Sequence, residues 1–238
     1  MAFYQMDLVR IVQVYVVQVI IAIIFIFLAY KILKRDRKRL NFVFSGLYVF
    51  TAIGLVINCI YAPITDESIV LILNFITNFT TAFGTIFLTT FSFIIWFSEK
   101  RFTKTKQNIY ISIYGILLFL SIIFVPNGGL IINEETNWKP VWSFQYYFYF
   151  ISVLTLIAAI PFVYTSLKIY FDFKDLELKK KWLFFMIGAF GLYLYMYMAY
   201  TANYLNNPLF RLILSVFGLS VVLWVYLMYF GVGKQLEK

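Results

Sequence analysis

Amides and hydroxyls recur at helical spacing within one apolar stretch of this 238-residue chain. Asn74, Asn78, Thr81, Thr85 and Thr89 follow one another at intervals of four, three, four and four residues, which places them on one face of a helix. Neutral side chains of this kind donate and accept hydrogen bonds but supply no strong acid or base. Two interpretations stay open: the face bonds neighbouring helices together, or it lines a pore or a ligand site.

A second set of polar groups is aromatic. Gln145 and Tyr149 lie near the start of a later apolar run, and tyrosines 193, 197 and 200 recur along one face of the next run. Aromatic walls with a few convergent polar groups are typical of small-molecule sites. Packing and a tyrosine belt at the membrane interface are the alternative, because the chain is 22% aromatic.

Two arginines lie near the ends of apolar runs. Arg10 and Arg211 could each bind an anionic group on a ligand. Alternatively, each reaches to lipid headgroups or pairs with an acid. The acids considered as partners are Asp7, Asp66 and Glu67. The predicted ligand-binding residues are Asn74, Asn78, Thr81, Thr85, Gln145, Tyr149, Tyr193, Tyr197, Tyr200 and Arg211.

The residue types that most catalysis needs are missing from the sequence. The chain has no histidine and one cysteine, Cys59, and no charged residue lies in the middle of an apolar run. This excludes histidine-based acid and base chemistry and a retinal Schiff base in the last run, and it disfavours ion-coupled transport. No glycine-rich phosphate loop or metal-ligand spacing is present. We therefore expect no cofactor, no metal site and no enzymatic activity.

The composition predicts the elements that position these residues. The chain is 63% hydrophobic and 13% charged, so it has too few polar residues to cover the surface of a water-soluble globule. Its apolar runs reach the roughly 20 residues needed to cross a bilayer. They predict an all-α polytopic membrane protein, with residues 1–238 forming a single seven-helix transmembrane domain. The predicted helices lie near 8–30, 41–62, 69–97, 108–125, 143–168, 182–204 and 208–231, and Pro161 should kink the fifth.

The basic residues are distributed unevenly between the two sides of this predicted bundle. Seventeen of the twenty Lys and Arg lie after the first, third, fifth and seventh spans, including Lys234 and Lys238, and three lie on the other side. The positive-inside rule then predicts an N-terminus outside and a C-terminus in the cytoplasm of a multi-pass cell-membrane protein. The expected partners are membrane lipids and a cytoplasmic signalling protein at the basic connections, with no nucleic acid.

The layout resembles the seven-helix membrane input module of prokaryotic sensor histidine kinases. The resemblance is carried by seven helices, an outside N-terminus, the basic cluster from Lys31 to Arg39 and the aromatic segment that opens the fifth helix. It implies a receptor-like sensor in signal transduction. Sensor modules of that kind continue into an enzyme domain, whereas this chain ends at Lys238, so we expect a stand-alone member that acts through another protein.

The sequence supports hypotheses from different classes of protein. The first is a sensor that binds a small neutral or amphipathic ligand in its outer half and signals to a cytoplasmic partner. The alternatives are a transporter or channel for a small solute or lipid, and a non-catalytic auxiliary subunit of a membrane complex. The uncharged polar face of the third span is what motivates the transporter hypothesis.

Overall fold

The computed structural model describes residues 8–36 and 38–233, so Asp7, Arg37, Lys234 and Lys238 lie outside it. It is an all-α bundle, and six of its helices are long and apolar enough to cross a membrane. A bent helix pair would make a seventh span. The helices are α1 Val12–Arg35, α2 Arg39–Tyr61, α3 Glu67–Arg101, α4 Lys104–Asn127, α5 Phe144–Asp172, α6 Leu176–Leu205, and the bent pair α7 Pro208–Gly218 and α8 Val221–Val232.

The bundle has two chemically different ends. At one end, a short antiparallel pair of strands, β1 Leu130–Ile131 and β2 Val141–Trp142, lies within the hairpin segment 128–143 between α4 and α5. We call this the hairpin end. At the other end lie the connections that follow α1, α3 and α5, where Arg39 of α2 donates to the backbone oxygen of Phe102 beyond α3 (2.7 Å). Because these connections and the helix ends beside them hold most of the Lys and Arg residues, we call this the basic end.

Several helices begin at a residue whose side chain caps the exposed backbone amides of the first turn. Asp66 accepts from the amide of Ile69 at the start of α3, and Asp175 accepts from two amides at the start of α6. Such caps satisfy donors that the helix itself leaves unpaired. The other capping residues are Thr103 for α4, Ser143 for α5 and Asn207 for α7. The start of each of these helices is therefore determined by a single residue that directly precedes it in the sequence.

Helix α5 widens immediately before its proline. A π-helical segment, Leu154–Ala159, precedes Pro161, which has no amide hydrogen to donate to the carbonyl of Ile157 four residues earlier. The hydroxyl of Tyr110 from α4 donates to that carbonyl, and Thr89 from α3 donates to the carbonyl of Ala158 (2.9 Å). Neighbouring helices thus satisfy backbone oxygens in the distorted stretch around this proline.

The basic half of the bundle has a solid aromatic core. Phe44 of α2, Phe91 of α3 and Phe185 of α6 are fully buried, and the ring centroids of Phe44 and Phe91 lie 5.1 Å apart. Trp182 packs on Phe185 at 4.8 Å and donates its indole N–H to the backbone oxygen of Ser166 (2.9 Å). These rings fill the space between α2, α3, α5 and α6.

Helices α6 and α8 approach each other closely at two glycines. A Cβ atom on Gly188 would lie 2.3 Å from the backbone oxygen of Trp224, and one on Gly191 would lie 2.3 Å from its indole ring. The indole N–H of Trp224 donates to the hydroxyl of Ser220 (2.8 Å). Trp224 therefore packs against α6 at two positions where a side chain larger than that of glycine would overlap it. This contact holds α8 close to α6.

Candidate ligand cavity

A cavity of about 260 Å³ lies in the hairpin half of the bundle. Its walls come from α1, α2, α3, α6 and α7, with Val221 of α8 at one side and Lys139 and Pro140 of the hairpin segment at the mouth. Because α4 and α5 contribute no lining residue among those described, the cavity sits on the side of the bundle where the first and last helices meet α2, α3 and α6.

Carboxamides from three helices form linked pairs along the cavity wall. Asn58 of α2 donates to the side-chain oxygen of Gln18 of α1 (2.5 Å). Asn74 of α3 donates to the hydroxyl of Tyr61 (2.6 Å), and Asn78 donates to the side-chain oxygen of Asn74 (2.8 Å). Buried amides need such partners, so these bonds hold the polar wall in one arrangement.

Hydroxyl groups continue the polar wall toward the middle of the bundle. Thr81 of α3 and Tyr200 of α6 lie 3.2 Å apart, oxygen to oxygen, and the Tyr200 ring stacks on Trp142 of the hairpin segment with centroids 5.5 Å apart. Thr51 and Thr77 also line the cavity, and within the described part of the chain their buried hydroxyls have no hydrogen-bond partner. Unsatisfied hydroxyls of this kind favour a bound polar group or water.

Two arginines hold the hairpin segment over the cavity mouth. Arg10, in the helical turn Leu8–Ile11 before α1, is 8% exposed and donates to the backbone oxygens of Ala62 (3.0 Å) and Asn137 (3.2 Å). Arg211 of α7 donates to the backbone oxygen of Pro140 (2.8 Å). With Lys139, the lining has three cationic side chains and, among the described residues, no carboxylate.

The opposite end of the cavity is apolar. Ile21 and Phe25 of α1, Leu55 of α2, and Leu192 and Met196 of α6 line it below the amides. The cavity is therefore amphipathic: cationic side chains and backbone oxygens lie at the mouth, amides and hydroxyls lie along the wall, and aliphatic and aromatic side chains lie at the base. This distribution matches the general pattern of small-molecule sites, although the volume falls below their usual range of about 300–1,000 Å³.

The structure separates the ten predicted site residues into two groups. Those that line the cavity are Asn74, Asn78, Thr81, Tyr200 and Arg211. The other five lie elsewhere in the bundle. Thr85 pairs with the hydroxyl of Tyr114 in α4 (3.0 Å), and Tyr149 donates to the backbone oxygen of Leu117 (2.8 Å).

The remaining three of these residues also lie away from the cavity. Tyr197 pairs with Thr155 (2.6 Å), and Tyr193 is buried against the ring of Phe162 with centroids 5.7 Å apart. Gln145 is exposed at the start of α5. The polar face of α3 is therefore divided: its residues at the hairpin end line a cavity, whereas Thr85 and Thr89 bond to neighbouring helices.

Several polar lining residues were missed by the sequence reasoning because they lie outside the two polar sets that helical spacing picks out. Gln18, Asn58 and Asn203 belong to this group, as do Thr51 and Thr77. The sequence did contain a usable signal. An amide in a membrane span costs free energy unless it is hydrogen-bonded, so its presence predicts a partner on another helix. Gln18 and Asn58, one in each of the first two runs, satisfy that expectation by bonding to each other.

The chain matches no protein-family model, no curated protein and no solved structure. The resemblance to sensor input modules therefore stays a prediction from the layout of the sequence.

Proposed function

We propose that this protein is a receptor-like membrane sensor that binds a small neutral or amphipathic ligand in its cavity and signals to a cytoplasmic partner. The observation that carries the proposal is the amphipathic cavity in the hairpin half, with linked amides on its wall and apolar side chains at its base. Ligand sites of this kind combine a mostly apolar enclosure with a few placed polar groups.

The closed basic half favours a sensor over an open channel. Beyond Thr81, the polar face of α3 is occupied by bonds to other helices, with Thr85 on Tyr114 and Thr89 on the backbone oxygen of Ala158. Below these bonds, Phe91 and Phe185 are fully buried in the aromatic core. Among the described residues, these contacts leave a solute no polar path from the cavity to the basic end in this conformation, which supports a binding site over an open channel.

The bent helix pair offers a way to carry a change from the cavity to the basic end. Leu214 of α7 and Val221 of α8 both line the cavity, and the two helices meet at an angle of 41°. At the far end of α8, the amino group of Lys31 lies 5.0 Å from the centre of the Tyr229 ring. A ligand that changes the bend would therefore shift contacts between α8 and α1 at the basic end.

The distribution of basic residues predicts how the protein is oriented in the membrane. The positive-inside rule places the basic end in the cytoplasm of a cell membrane and the cavity mouth outside. The cytoplasmic partner would then meet the basic residues at the junctions of α3 with α4 and of α5 with α6. The resemblance to seven-helix sensor modules agrees with this direction of signalling.

Ligand-dependent stabilisation tests the proposal. Purified protein in lipid nanodiscs is screened against small amphipathic and neutral compounds by thermal unfolding, using the wild type, Asn78→Leu and Gln145→Leu. Asn78 lines the cavity and Gln145 does not, yet both changes replace an amide by leucine. A true ligand raises the unfolding temperature of the wild type and of Gln145→Leu but raises that of Asn78→Leu less.

Two results would contradict the sensor. One is a screen in which no compound stabilises the wild type more than it stabilises Asn78→Leu. The other is flux of a stabilising compound through protein-containing liposomes at a rate that Asn78→Leu abolishes, which would favour the transporter.

A further inference from the structure

We propose that the cavity binds an uncharged amphiphile with a carboxamide head group, held by Gln18, Asn58 and Asn78. The proposal rests on the ligand-sensing function above and adds the chemical class of the ligand. Its basis is three neutral amides that line one cavity and that each keep, within the described part of the chain, a polar atom without a hydrogen bond.

The free atoms of the amide wall include both a donor and acceptors. Asn58 donates to the side-chain oxygen of Gln18, and Asn78 donates to the side-chain and backbone oxygens of Asn74. Among the residues that the structure describes, the amide nitrogen of Gln18 and the side-chain oxygens of Asn58 and Asn78 have no partner. The free atoms of Gln18 and Asn78 are not fully enclosed by protein, although the residues are only 8% and 6% exposed. Because the open space that these residues line is the cavity, a ligand there meets a donor and acceptors together.

The three amides lie near one level of the cavity. A Cβ atom on Gly54 of α2 would lie 2.9 Å from the backbone oxygen of Thr77 in α3, which marks where the two helices meet. Asn58 lies one turn beyond Gly54, about 6 Å along α2, and Asn78 directly follows Thr77. The bond between Asn58 and Gln18 places the glutamine of α1 at the same level. A single head group at this level therefore borders amides of three helices.

A π-helical segment at the start of α1, Val12–Gln18, turns a second glutamine toward the cavity. In an α-helix, residues five apart differ in direction by about 140°, whereas the hydrogen bonds of a π-helix join residues five apart and bring them closer to one face. Gln13 and Gln18 are five residues apart, and both line the cavity. Because π-helical turns occur frequently at functional sites, this widened segment supports the assignment of the glutamines to ligand binding.

A carboxamide is the head group that matches this wall. It carries a donor and an acceptor on neighbouring atoms, so its oxygen accepts from Gln18 while its nitrogen donates to Asn58 or Asn78. A carboxylate has no hydrogen to donate to the two asparagine oxygens. A ketone likewise leaves them unpaired when it covers them, which costs free energy in a buried site. The apolar body of the ligand lies against Ile21 and Phe25 at the base of the cavity.

Three probes of nearly the same shape test the head group. Octanamide, heptyl methyl ketone and octanoate carry the same alkyl chain on a carbonyl carbon and differ in having an amino group, a methyl group or a charged oxygen beside it. Isothermal titration measures their binding to protein in nanodiscs of zwitterionic lipid, and empty nanodiscs correct for partition into the bilayer. Octanamide should bind about 10-fold or more tightly than the ketone and than octanoate, because only octanamide supplies a donor.

Variants locate the binding. Asn58→Leu and Asn78→Leu should each weaken octanamide about 5-fold or more and leave the ketone nearly unchanged. Gln145→Leu removes an exposed amide at the start of α5, so it is the matched control and should change neither. Ala199→Leu adds bulk to a lining position without removing a polar group, so it should weaken all probes together. The comparison of the three probes on the wild type needs no variant, so it decides the proposal even where a substituted protein fails to fold.

Three outcomes overturn the proposal. Equal binding of octanamide and the ketone, both reduced by Ala199→Leu, removes the carboxamide and leaves the sensor in place. Tighter binding of octanoate than of octanamide removes the uncharged head group and also leaves the sensor in place. Absence of binding by every probe removes the carboxamide amphiphile, whereas the sensor is rejected only when the broader thermal-unfolding screen finds no stabilising compound either.

Discussion

The backbone oxygen of Ile157 depends on a residue of another helix, and this dependence can be measured. Pro161 removes the amide that would normally serve this oxygen, and the hydroxyl of Tyr110 donates to it instead. In Tyr110→Phe the ring remains and only the donor is lost. The substitution therefore removes a hydrogen bond while leaving most of the packing of α4 against α5 unchanged.

The expected cost follows from what the substitution leaves behind. Interhelical hydrogen bonds in membrane proteins contribute about 0.6 kcal/mol on average, because the partners can usually bond elsewhere. Here the proline denies the carbonyl of Ile157 its usual intrahelical donor, so the relevant quantity is the penalty of an unsatisfied buried group, about 1–3 kcal/mol. We expect Tyr110→Phe to lower the free energy of unfolding by about 1–2 kcal/mol.

A double-mutant cycle with Pro161→Ala isolates this effect. Alanine restores an amide four residues after Ile157, so Tyr110→Phe in the Pro161→Ala background should cost about 0.5 kcal/mol or less. Unfolding of the four proteins in mixed micelles gives the free energies. Tyr164→Phe, which alters an exposed tyrosine of α5, is the control and should change stability by less than about 0.5 kcal/mol. Equal costs of Tyr110→Phe in both backgrounds would refute the reasoning.

Three further predictions concern the packing and the polar wall. Gly191→Ala should destabilise the protein by about 1–3 kcal/mol because the new methyl group would overlap the ring of Trp224, and Trp224→Leu should recover part of this loss in unfolding measurements. Ser98 has φ 65° and ψ 158°, a region that glycine alone adopts readily, so Ser98→Gly should raise the free energy of unfolding by about 1 kcal/mol and Ser98→Ala should not. Asn74→Leu removes the link between Tyr61 and Asn78 and should cost about 1–3 kcal/mol, whereas a loss below 0.3 kcal/mol would show that the linked amides do not stabilise the wall.

The helices could be predicted from the sequence because their signal is local. Runs of about 20 apolar residues must form helices in a bilayer, where every backbone group has to be satisfied within the chain. Six predicted spans correspond to helices of the structure, and the seventh corresponds to the bent pair. The bend itself was not predicted. It falls after Gly218, where the amides of Leu219 and Ser220 donate to carbonyls three residues earlier instead of four.

The site could be predicted only in part, because the cavity depends on which helices become neighbours. Thr81 and Thr85 lie on the same face of α3 by spacing, yet one lines the cavity and the other bonds to Tyr114 of α4. Tyr193 and Tyr200 share a face of α6 in the same way, yet of these two tyrosines only Tyr200 lines the cavity. Helical spacing gives the direction of a side chain around its own helix but not the helix that it meets.

The two arginines at the cavity mouth bind the hairpin segment at different stages of synthesis. The hairpin segment leaves the ribosome after Arg10 but well before Arg211, and it bonds to both. Its contact with Arg10 can form while the chain is still growing, whereas the contact through Pro140 has to wait until α7 is synthesised and packed. The mouth of the cavity therefore closes only after α7 has been synthesised, so a chain truncated before α7 would lack both a wall of the cavity and the arginine that binds the hairpin segment.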